Sequence, residues 1–156
     1  MTNSHIAEAL VCTAESMADK SLRSTAADFI SKYIKMMFFD GDLNRPNCFE
    51  HYNPITGEPC EYRGVDDYQH SWVVDLIIKY VCGIRPADPS EKLLVIDPLP
   101  FKLDSFSIQG VPYQGHSVGV TWNGKTADKS ELGLNVYIDG KNVASSKNLE
   151  KLIVNL

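Results

Sequence analysis

The sequence predicts an α+β protein in which helical hairpins come first and a small antiparallel, sandwich-like β segment follows. Three observations predict it. Up to about residue 88 the apolar residues return at every third or fourth position, and beyond it they return at every second. The third observation is a long aperiodic stretch after Phe39, crowded with rings and carboxylates, that interrupts the helical part. A connection longer than about 12–15 residues in a compact domain is either a site or disordered. Disordered segments are poor in aromatic residues, and this one carries Phe49, Tyr52, Tyr62 and Tyr68.

The first helix is expected from about Ser4 to Ala18, with Ile6, Leu10, Ala14 and Met17 as its buried stripe. Asp19-Lys-Ser interrupts it. Ser24 or Thr25 is expected to cap a second helix, which buries Ala26, Phe29, Ile30, Tyr33, Ile34 and Met37. Pro46, Pro54 and Pro59, with Gly41, Gly57 and Gly64, keep the following stretch out of a helix. From Tyr68 the period returns. Trp72, Val73, Val74, Leu76, Ile77, Ile78, Tyr80 and Val81 are apolar around most of a helix, so burial on nearly every side is expected. Gly83 and Pro86 end that helix.

In the remainder, Leu93 to Ile96 is a short apolar run, and Phe106 and Ile108 alternate with polar residues. So do Val118, Val120 and Trp122, then Leu134, Val136 and Ile138, with Asp139-Gly140 as a hairpin turn and Leu152, Val154 and Leu156 as a closing strand. Domains are therefore expected at 1–88 and 89–156.

Composition narrows the function. The chain has 156 residues, 44% of them hydrophobic, enough for a packed core. A net charge of −5 speaks against a nucleic-acid partner. No apolar run approaches the roughly 18 residues of a membrane span, so no membrane partner is expected. The N-terminal residues lack the basic and apolar regions of a signal peptide. Cys12, Cys48, Cys60 and Cys82 show no tight spacing, and Cys12 and Cys82 sit in apolar helical patterns where a buried thiol is the default. Those two expectations favour a reducing, cytoplasmic setting and leave the localisation itself open.

The chemistry lies in Cys48-Phe-Glu-His-Tyr-Asn-Pro-Ile-Thr-Gly-Glu-Pro and in Asp66-Asp-Tyr-Gln-His-Ser-Trp72. Hydrolysis of a glycosidic bond uses two carboxyl groups flanking it. Pyranose rings stack on aromatic faces, and sugar hydroxyls pair with Asp, Asn or His. This loop supplies all of these, so a carbohydrate substrate is expected. Glu50-His-Tyr-Asn-Pro-Ile-Thr-Gly-Glu, followed by an aromatic, amide-rich approach to Trp72, resembles the last catalytic loop of six-hairpin, α/α-barrel glycosidases. The relatives are trehalase, the processing α-glucosidases and the mannosylglycerate-hydrolase-like enzymes.

That resemblance implies an inverting, exo-acting glycoside hydrolase in which Glu50 is the general base. It makes Trp72 part of the sugar platform and gives Tyr52 and Asn53 the shaping of the loop against substrate. Asp67 and His70 are the expected partners of sugar hydroxyls. In those relatives the general acid is an Asp well upstream, and a full α/α toroid needs many more helices than the roughly three readable here. The chain then reads as the C-terminal part of such an enzyme, inactive alone and completed by the remaining N-terminal barrel.

Blander readings stand beside these. Glu58 is the base if the register is different, although Thr-Gly-Glu-Pro is turn chemistry. Asp66 or Asp67 could cap the helix that follows, and Trp72 could be core packing. Cys48, His51, Cys60 and His70 are the ligand types of a zinc site, but no Cys-x-x-Cys pair is present and loop hydrogen bonds account for the histidines. No metal and no cofactor are expected. The alternative from another class is a carbohydrate-binding or assembly module with no chemistry of its own.

Overall fold

The computed structural model describes residues 2–60, 72–125 and 132–156. The chain divides into two compact units, Met1–Ile77 and Ile78–Leu156. It is a mixed α+β protein.

In the first unit, α1 spans Thr2–Ser16 and α2 spans Lys20–Met36. The Ser4 and Tyr33 hydroxyls lie 3.3 Å apart, while Arg23 reaches Glu15 at 3.7 Å. The start of one helix therefore faces the end of the other, which makes an antiparallel hairpin. Its turn places Ala18 at φ 51°. The cap of α2 is Asp19, not Ser24 or Thr25. The Asp19 carboxylate accepts from the backbone N–H groups of Ser21 (2.8 Å) and Leu22 (3.1 Å), satisfying two donors that have no partner inside the helix. Ser24 and Thr25 instead donate back to the carbonyls of Lys20 and Ser21.

The helix interface is built from small residues. Ala7, Val11 and Ala14 on α1 and Ala26, Ala27, Ile30 and Tyr33 on α2 are buried. Alanines let the two backbones approach closely, so the larger side chains of α1 turn outward: Ile6 is 43% exposed and Met17 67%. The expected α1 stripe is thus rotated, and Cys12, expected to be buried, is exposed. Burying Ile30 contributes about 1.5–3 kcal/mol.

α3 is one turn, Val73–Leu76, and it continues into a π-helical turn, Ile77–Val81. The expectation of burial on nearly every side holds for Ile77–Val81, where Tyr80 and Val81 are buried and Ile77 and Ile78 half-buried, and fails at the start. Val73 and Leu76 are buried, yet Trp72 is 47% exposed and Val74 54%. The helices of this unit cover one face of α3 and leave the other open. These elements do not display a toroid of hairpins.

The second unit is antiparallel β. A three-stranded sheet has the order β1 (Ile84–Arg85), β2 (Leu93–Ile96), β7 (Leu152–Asn155). A four-stranded sheet runs β3 (Ser105–Tyr113), β4 (His116–Asn123), β5 (Gly133–Ile138), β6 (Lys141–Ser146). The expected strands all form, and the alternation sets their register: Val118 and Val120 on β4 pair with Ile138 and Val136 on β5. Ile84, Leu94 and Ile96 from the first sheet share one core with Val118, Val120, Leu134 and Val136 from the second. Tyr113 ties the sheets together, its hydroxyl donating to the Leu93 carbonyl at 3.0 Å. Gly83 has φ +80°, and a Cβ there would lie 2.4 Å from the Pro98 nitrogen, so the chain can turn here only with glycine. Cys82 is buried as expected, and burial pushes its thiol up to about 11.

Candidate functional site

The loop after α2 is an ordered set of turns anchored on the end of that helix. Asn47 does the anchoring. Its backbone N–H donates to the Met37 carbonyl (2.8 Å) and its side-chain amide to that of Met36 (3.1 Å), so two carbonyls left open by the helix terminus find partners. Phe38 and Pro46 form an isolated β-bridge, and Arg45 lies over the Phe39 ring while pairing with Asp40 at 3.0 Å.

Tyr52 braces the middle of the loop. Its hydroxyl donates to Asn47 Oδ1 at 2.5 Å and accepts from the Phe49 N–H at 2.9 Å. Burial pushes this phenol up to about 12; the Phe49 bond opposes that shift, and the neighbouring Cys48 and Tyr33 add to it. Tyr33 is raised as well, again chiefly by burial. Both hydroxyls therefore stay protonated and serve as fixed hydrogen-bonding groups.

Asn53 builds the next turn. Its Oδ1 accepts from the N–H groups of Ile55 (2.8 Å) and Thr56 (3.2 Å), and its carbonyl accepts from Gly57, which sits at φ +78°. The Thr56 hydroxyl donates to the Glu58 carboxylate at 3.2 Å, and Tyr52 and Pro59 close the turn as a bridge. Ile55 at the tip is 93% exposed.

Between the C-terminal half of α2 and these turns lies an open groove of about 1010 Å³. Lys32 and Lys35 line one side, Phe38 and Phe39 the turn after the helix, and Ile55 and Glu58 the side opposite α2 in sequence. The expected site residues are distributed otherwise. Tyr52 and Asn53 form the frame of this loop and do not line the groove. Glu50 is half-buried beside Phe49, engaged in a contact of its own, and is not part of the groove lining. Trp72 presents a half-exposed ring 6.1 Å from that of His5. Asp67 and His70 lie outside the described residues, as does Asp66.

Sequence reasoning passed over Lys32 and Lys35, whose signal was only a three-residue spacing on one face of α2. It also set Glu58 aside as a turn residue. It is a turn residue, and it lines the groove as well. Among the described residues, no group of three or more His, Cys, Asp or Glu side chains could hold a metal ion. No helix among them is long and apolar enough to cross a membrane.

The fold has a counterpart. The structure is similar to part of a solved chain described as "Sialidase", with a TM-score of 0.69 and 24% sequence identity. The match covers 94% of this chain and 14% of that one. No family model matches the chain, and no curated protein matches it in sequence. The likeness shows that the α+β arrangement recurs within a much longer polypeptide.

Proposed function

We propose that this chain is part of a glycoside hydrolase and that its 38–60 loop faces the saccharide. The observation that carries the reading is a braced, ring-bearing loop beside an open groove, on a fold shared with a segment of a sialidase. Loops held this rigidly by their own side chains position groups for binding or chemistry. In the fuller form of the proposal the enzyme is inverting and exo-acting. Glu50 takes a proton from the attacking water, Trp72 offers its exposed ring to a pyranose face, and Asp67 and His70 pair with hydroxyls. Tyr52 and Asn53 hold the loop that aims them.

An inverting hydrolase also needs a general acid across the cleft. The proposal assigns it to the remaining N-terminal barrel, in the same polypeptide or another chain. Ile6, Trp72 and Val74, all more than 40% exposed on the helical unit, support a helical partner of that kind. Joining the chain to such a barrel should yield hydrolysis with inversion at the anomeric carbon, read by NMR of the first-formed product. Glu50→Gln in the joined enzyme should cost about 10²–10⁴-fold in kcat, with KM little changed. Undiminished turnover removes Glu50 from the mechanism. The same loss from Glu58→Gln instead would move the base to the groove.

One observation favours the other reading, a carbohydrate-binding module without chemistry. The groove is lined by Glu58 and two lysines and does not include Glu50. Saccharide binding that Glu50→Gln leaves untouched, with no cleavage in any longer chain, would establish it.

A further inference from the structure

We infer that the groove beside α2 is a subsite for an acidic oligosaccharide, one whose sugars carry a carboxylate or a sulfate, with the acid group on the lysine wall. The inference deepens the proposed function and rests on its reading of the loop as saccharide-facing.

Three features carry it. The first is charge. Lys32 and Lys35 stand three residues apart on α2, both line the groove, and among the described residues no carboxylate pairs with either. Asp40, the acid in the turn after the helix, is already matched by Arg45 at 3.0 Å. A basic residue in the last turn of α2 complements the helix dipole, which accounts for Lys35 but not for Lys32 a turn earlier. The second is polarity at the 54–60 turn. Glu58 is held by the Thr56 hydroxyl, and an ionised carboxylate accepts hydrogen bonds without donating any. It suits neutral sugar hydroxyls and repels an acid group, so a ligand's anionic end is directed to the lysines. The third is apolar lining: Phe38 and the exposed Ile55 also line the groove and give C–H faces something to lie on.

The volume agrees with more than one sugar ring. About 1010 Å³ stands at the upper end of the roughly 300–1,000 Å³ typical of small-ligand sites. A peptide would fill such a groove too, but the Glu58 carboxylate, an acceptor for hydroxyl groups, matches saccharide chemistry better.

The test uses the 156-residue chain and three probes: trigalacturonate for the carboxylate class, a sulfated chondroitin disaccharide for the sulfate class, and maltotriose as the neutral control. Binding is read by titration with NMR shifts of residues 32–60. The inference expects one acidic probe to bind in preference to maltotriose, weakening with added salt, and to lose about tenfold in affinity in the Lys32→Ala, Lys35→Ala double variant. Alanine favours helix, and circular dichroism checks that the variant keeps it. Which acidic probe binds identifies the acid group. Equal binding of maltotriose, untouched by the double variant, overturns the inference while leaving the saccharide-facing loop intact. Binding of no saccharide to residues 32–60 overturns both. Acidic binding with full turnover in the Glu50→Gln joined enzyme would sustain the subsite and defeat the proposed base.

Discussion

The two units of this chain bury themselves in opposite ways. The β unit places its large aliphatic side chains inward: Leu94, Ile96, Val118, Val120, Leu134 and Val136 are all fully buried. The helical unit puts alanines at its interface and leaves Ile6, Met17, Leu43, Ile55, Trp72 and Val74 at more than 40% exposure. The β unit also leaves Leu103, Leu132, Val143 and Ile153 at 40% exposure or more, so the contrast lies in the cores: large aliphatics in one, alanines at the helix interface in the other. The helical unit is the one whose core is built from small side chains. The groove and the open face of α3 both belong to that unit.

The largest effect should come from cutting into the self-contained core. Leu134→Ala removes a fully buried side chain that packs between the two sheets, and should cost about 2–5 kcal/mol in the denaturant-induced unfolding of the β unit. Val74→Ala trims a residue that is 54% exposed and should stay within about 0.5 kcal/mol for the chain by itself. A similar cost for both would erase the contrast between the units.

An intermediate effect should come from the loop. Tyr52→Phe leaves Asn47 Oδ1 and the Phe49 N–H without their shared partner and should destabilise the helical unit by about 1–3 kcal/mol. Its pH dependence carries a clear sign. The folded state holds the phenol protonated up to about 12, whereas an unfolded tyrosine ionises near 10. Tyr52 therefore gives its full contribution below pH 10, and that contribution is lost as pH rises from 10 through about 12. Thermal melts across this window should show an alkaline decline that shrinks in Tyr52→Phe, with the remainder attributable to Tyr33, also raised by burial. An identical decline in the variant would mean that Tyr52 is not the group being titrated.

The same contrast explains what could be read from the sequence. In the β unit the core residues are large aliphatics that the alternation picks out, although Val143 and Ile153 stay exposed; Leu93 to Ile96 is found at its expected place, and Asp139-Gly140 turns with φ 50° and 79°. In the helical unit hydrophobicity misleads. Ile6 and Met17 outrank Ala7 and Val11 on any apolar scale, yet close helix packing selects the small residues for the interface. Asp19 looked like an interruption because a cap and a break share the same residue types. The Asx turn at Asn53 was legible in Asn-Pro-Ile-Thr-Gly. The groove was not, because it arises only when residues 32 and 35 meet residues 54–60, a juxtaposition that no local pattern encodes.

The smallest effect belongs to the hairpin ends of the β unit. Asp139 occupies a turn at φ 50°, where its carboxylate receives the Ser117 N–H at 2.9 Å and stands 2.8 Å from His116 Nδ1. These contacts, His116 first, hold its carboxyl below the usual range. A lowered pKa means the stabilisation is present above the ordinary carboxylate value and disappears as pH falls through the folded one. The site is exposed, and solvent screening keeps such a pair weak. Asp139→Asn keeps an oxygen for Ser117 and tolerates positive φ, so it should lower the melting temperature slightly at neutral pH and not at all in strong acid. A fall as large as that of Leu134→Ala would show that this unit depends on its turns as much as on its core.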